Sequence, residues 1–190
     1  MSSTSENDRR TGAFGTFLLV RAVPALVVAA VITFSANHAI IVGQLAFLVF
    51  ALAISPVFVM TALGSGFEAI PRRACLALAV ISVAGAAVTA VTIDQGERAF
   101  TLVIGLWAAI SGAVEVLAGW VCTNRSQSRE MLLLGGLTAL FGLLEAVIPL
   151  SDLYAVGLFG AYAAIIGVFS AIAGFSFGIR ATARQEKKAK

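Results

Sequence analysis

Six long apolar stretches, parted by short polar breaks, dominate the chain: 14–34, 39–63, 74–92, 100–121, 131–149 and 153–178. Each is about 20 residues or longer, enough to cross ~30 Å of hydrocarbon at ~1.5 Å of rise per residue. In lipid a segment must satisfy its own backbone N–H and C=O groups, so the pattern predicts α-helices. The expected fold is all-α, an integral membrane bundle of six transmembrane helices over residues 14–178. Residues 1–13 (MSSTSENDRRTGA) are small and polar and predict a disordered tail; residues 179–190 form a basic tail.

Composition sharpens this picture. Of the 190 residues 59% are hydrophobic and only 12% charged, where soluble domains carry about 25% charged residues. A soluble fold of this size could not hide so much apolar surface. The net charge of +3 does not point to nucleic acid, because the basic residues lie in short clusters between the apolar runs. They sort by side. Arg9, Arg10, Arg72, Arg73, Arg125, Arg129, Arg180, Arg184, Lys187, Lys188 and Lys190 fall on one side and Arg98 alone on the other, with Arg21 inside the first stretch. The positive-inside rule then places both termini and the longer loops, 64–73 and 122–130, in the cytoplasm. A cleaved signal peptide over the first stretch would leave the same orientation; the internal repeat described next favours its retention. Cys75 and Cys122 fall near cytoplasmic helix ends, where thiols stay reduced, and with His38 they are too few for a zinc site.

The stretches pair into three helical hairpins of one orientation, 14–63, 74–121 and 131–178, which read as parallel repeats. GLWAAISGAVE (105–115) aligns with GAYAAIIGVFS (160–170), Trp107 opposite Tyr162; the first hairpin is the divergent copy. Glycines recur every seven residues, at Gly105, Gly112 and Gly119 and again at Gly160, Gly167 and Gly174. Seven residues return nearly to one helix face, and small residues let membrane helices approach closely. These stripes are expected to be packing seams inside the bundle; an oligomer interface is the alternative.

Polar groups within the apolar stretches are costly and therefore informative. Arg21 lies about two turns into the first stretch, able to snorkel to the surface or to pair. Glu115 lies at a similar depth on the glycine face of the fourth, three residues after Gly112 and four before Gly119. A pair with Arg21 is expected, Arg73 and Arg129 being the other partners. Such a pair either fixes helix packing or leaves a proton- or ligand-responsive carboxylate. Glu145, aligned with Thr89 and Asn37, reads as an interfacial cap at the outer end of the fifth stretch. Pro24, Pro56 and Pro149 predict kinks or helix ends, and Trp120 and Tyr154 interfacial anchors. There is no nucleophile–base pair, no HExxH and no phosphate-binding glycine loop, so neither enzyme activity, a metal nor a cofactor is expected.

The hairpin pattern Arg-x-x-x-x-Leu…Gly-x-Tyr/Trp-x-x-x-x-Gly resembles the short membrane repeat of the HdeD family. It is clearest over 129–180, then over 73–121, and weakest over 14–63. The chain departs from the family where an Asp often precedes the second glycine; Ser111 and Ile166 stand there. The resemblance implies a bacterial cytoplasmic-membrane protein of about six helices, linked to acid resistance; the first expectation is a non-enzymatic protein acting in acid or envelope stress tolerance. Two other readings are an accessory subunit of an envelope-lipid export or modification complex and a small channel or transporter. The expected partners are the lipid bilayer and another membrane protein or a second copy of the chain.

Overall fold

The computed structural model describes the backbone of residues 2–189 except 37, 65, 66, 68, 94, 149 and 150, with side chains for residues 10–179 and 181–183 of that range. Asn37, Pro149 and the side chains of Arg9, Arg180, Arg184, Lys187, Lys188 and Lys190, all weighed above, lie outside the described residues. The described chain is all-helical: α1 (Ser2–Phe34), α2 (Ile40–Leu63), α3 (Ala69–Val91), α4 (Gly96–Val121), α5 (Arg125–Val147) and α6 (Asp152–Ala189). All six are long and apolar enough to cross a membrane, and large apolar side chains point outward from each, among them Val27, Leu52, Val80, Leu106, Leu140 and Ile165. In water such a surface would aggregate; in a bilayer it is the lipid contact of a multi-pass membrane protein.

The helices overrun the apolar stretches at several ends. The expected disordered tail is corrected: α1 is helical from Ser2, and α6 continues through the basic tail to Ala189. A helix nucleated inside the bilayer extends outward at little cost, and the Ala, Arg, Gln, Glu and Lys of 181–189 are good helix formers. The longer loops shrink accordingly. Asn124 caps α5, its side chain accepting from the backbone N–H of Ser126 and Gln127 at 3.1 and 3.3 Å. The Arg72 guanidinium donates to the Ala62 carbonyl at 2.7 Å, closing the last turn of α2 from the first turn of α3. At the other face Gly96 opens α4 with φ +76°, a conformation that suits glycine. Pro24 and Pro56 lie inside α1 and α2.

The helices stand in a ring in chain order, each packed on its neighbours, with α2, α4 and α6 also meeting one another at the centre. Packing alternates around the ring. The closest pairs are α4–α5, α1–α6 and α2–α3, whereas the pairs that are hairpins in sequence, α1–α2, α3–α4 and α5–α6, are looser. The two heptad glycine stripes lie on two of the close pairs. A Cβ on Gly105 would meet Ala146, one on Gly119 would meet Leu132, and one on Gly112 would strike the backbone nitrogen of Ala139. From α5, Gly142 abuts Ala109 and Gly135 abuts Glu115. Gly160, Gly167 and Gly174 of α6 instead receive the side chains of Ile32, Leu26 and Leu19 of α1. This register is antiparallel and brings both chain termini to one face. The centre is filled by rings: Trp107 packs edge-on against Phe47 and Phe50, both of which also meet Phe159, and Phe141 stacks on Tyr162 at 4.2 Å.

Candidate functional site

In the half of the bundle nearer the termini, the Arg21 guanidinium and a Glu115 carboxylate oxygen lie 2.7 Å apart. Both side chains are buried, and Arg21 also lies over the Phe58 ring at 5.6 Å. Side chains tilt toward the N-terminus of their helix. α1 and α4 run in opposite directions, so the long arginine reaches back toward the termini while the glutamate reaches up to meet it. Arg21 does not snorkel. Arg73 and Arg129, the other conceivable partners, are exposed.

α1 and α4 are not packed neighbours; they occupy opposite positions in the ring. The ion pair is therefore a strut across the interior, linking helices that do not pack side by side. A charge pair at this depth is stable only when both members are present, since either alone would be an uncompensated buried charge. The second oxygen of Glu115 is buried without a hydrogen-bond partner, as is the Ser111 hydroxyl one turn away.

The pair borders a cavity of about 20 Å³, lined otherwise by Phe14, Phe17, Leu78, Cys75 and Met131 among others. That is room for about one water molecule. Cys75 was read from sequence as a helix-end thiol; it is buried and free and lines this cavity. Phe58 carried no sequence signal, because an apolar residue in an apolar stretch shows its face only once the helices are assembled. Deeper in the bundle, the hydroxyls of Thr138 on α5 and Tyr162 on α6 are 3.1 Å apart, and the Trp107 indole N–H donates to the Ser82 hydroxyl at 3.4 Å. Trp107 and Tyr162 thus pack and tie helices together. Trp120 and Tyr154 are exposed, as interfacial anchors are.

Glu145 departs from expectation. An interfacial cap would be wet, yet this residue is 1% exposed, and neither carboxyl oxygen has a hydrogen-bond partner. The reason is its place on α5. Gln127, Leu134, Thr138, Phe141 and Glu145 form one buried stripe, and the helix carries that stripe inward as far as its last turn. The two acidic residues singled out from sequence are thus kept apart. Glu115 is paired near the termini, and Glu145 stands alone toward the opposite face. Among the described residues no group of three or more His, Cys, Asp or Glu could hold a metal ion.

Comparison of the chain with protein families, with curated proteins and with solved structures finds no match.

Proposed function

We propose that this chain is a non-enzymatic protein of the bacterial cytoplasmic membrane, with both termini inside, that acts in tolerance of acid or envelope stress in the manner of the HdeD family it resembles. The observation that carries the non-enzymatic, bundle-like part of this reading is the filled interior. Rings from α2, α4, α5 and α6 pack against one another at the centre, and a buried ion pair spans the ring below them. Such an interior supports a rigid body in the membrane over a hydrated conduit. The stress assignment rests on the repeat resemblance. The alternation of close and loose helix pairs around the ring supports three parallel hairpin repeats, because a duplicated hairpin brings the same interface back at every second helix pair. The excess of Arg and Lys on the face of the termini supports the orientation.

The test is survival of a deletion strain after an acid challenge, complemented with the wild-type gene or with Glu115→Gln. The proposal expects deletion to lower survival and the wild-type gene to restore it. Unchanged survival of the deletion strain removes the acid-stress assignment. Restoration by Glu115→Gln as well makes the ion pair a packing device only.

A further inference from the structure

Glu145 is the polar side chain whose surroundings are least accounted for by packing. Its carboxyl group is buried, and both oxygens lack partners. A carboxylate anion left without donors in an apolar interior is far costlier than the neutral acid. Its position adds a second cost. Glu145 lies in the last turn of α5, two residues before the end at Val147, where the carbonyl ends of the helix concentrate negative potential.

Among the described residues no cation compensates. The helices packed on α5 are α4 and α6. Toward this face α4 offers Glu97, half-buried, and Arg98, exposed; α6 offers Asp152 and Tyr154, both exposed. None is hydrogen-bonded to Glu145. Deeper on α6, the Tyr162 hydroxyl is already engaged with Thr138. On α5 itself Arg125, Arg129 and Glu130 lie at the far end of the helix.

We infer that Glu145 is a proton-binding site: its carboxyl group is held as the neutral acid inside the bundle, near the face opposite the termini. The ligand is a proton rather than a metal ion, because the described residues bring no set of three acidic, histidine or cysteine ligands together anywhere in the bundle. Glu115 makes the contrast, since its carboxyl group has a guanidinium at 2.7 Å. The inference stands apart from the stress reading, for a chain without any role in acid survival would still carry this proton.

The test is infrared spectroscopy of the full-length protein in phosphatidylcholine vesicles at neutral pH. A protonated carboxyl group gives a C=O stretch above the amide band that moves on deuteration. The wild-type protein is expected to show one such band, Glu145→Gln to lack it and Glu115→Gln to keep it. A wild-type spectrum without the band, or a band that survives Glu145→Gln, overturns the proposal. Should Glu145→Gln not fold, the wild-type band is assigned with dicyclohexylcarbodiimide. A buried carboxylic acid adds this apolar reagent across its C=N bond and rearranges to an N-acylurea, gaining the reagent's whole mass with no leaving group. Peptide mapping is expected to place the adduct on Glu145; an adduct on another carboxyl group, or none, overturns the proposal.

Discussion

The two halves of the bundle each bury a glutamate and treat it in opposite ways. Near the termini Glu115 meets Arg21 across the ring; toward the other face Glu145 meets no partner. Burial is nearly the same, at 2% and 1% exposure. The difference teaches that burial alone does not set what a carboxyl group does in a membrane protein. The decisive variable is whether a helix on the far side of the ring supplies a cation at the matching depth.

The largest break in this contrast should come from removing the cation. Arg21→Leu leaves Glu115 buried and unpaired, and loss of one member of a buried pair costs about 3–5 kcal/mol. The expected outcome is a marked fall in the unfolding midpoint of the detergent-solubilised protein. Arg21→Leu combined with Glu115→Leu should regain most of that loss, because no charge is then stranded. A double variant as unstable as the single one would mean that the arginine acts through packing on Phe58 rather than through the strut.

A step smaller is the α4–α5 seam, at which Glu115 lies against Gly135. Gly112→Ala drives a methyl group into the backbone of Ala139, and overpacking of this kind costs about 1–3 kcal/mol. Backbone cannot rotate away as a side chain can. Gly160→Ala, whose new methyl group meets the side chain of Ile32, should therefore cost less in the same melting assay. Equal losses would show that the two seams yield alike.

The unpaired glutamate should respond in the other direction. If Glu145 is already neutral, Glu145→Leu strands no charge and removes an unsatisfied polar group, a gain of about 1 kcal/mol. A fall of the midpoint comparable to that of Arg21→Leu would show that Glu145 is charged and compensated, and the contrast between the halves would close.

The fold was legible because lipid imposes a simple pattern: each apolar stretch lies in one of the six helices, although α1 and α6 run well beyond theirs into the polar tails. The partnership of Arg21 and Glu115 was legible too, as two rare charges at one depth. The heptad glycines gave the faces that pack but not their partners, since spacing along one helix says nothing of which neighbour it meets. The closest pairs lie between the sequence hairpins rather than within them, which the order of helices along the chain does not reveal. Glu145 was misread for a related reason. Nearness to the end of an apolar stretch measures depth along the helix, whereas wetness depends also on the direction in which the side chain leaves it.

The smallest effect tests that last point at two adjacent positions. Gly135 and Gly136 are indistinguishable in composition and depth, yet they leave α5 in different directions. A Cβ on Gly135 would come within 2.7 Å of the Glu115 Cβ and 2.8 Å of the Gly112 carbonyl oxygen, whereas one on Gly136 would meet nothing within 4 Å. Gly136→Ala should leave the midpoint unchanged or raise it by the gain in helix propensity, at most about 1 kcal/mol. Gly135→Ala should lower it, because the intruding methyl group meets the Glu115 Cβ and the α4 backbone, which cannot move aside. Equal behaviour of the two alanine variants would place the α4–α5 contact on another face of α5, and with it the route by which the paired glutamate is held and the unpaired one is buried.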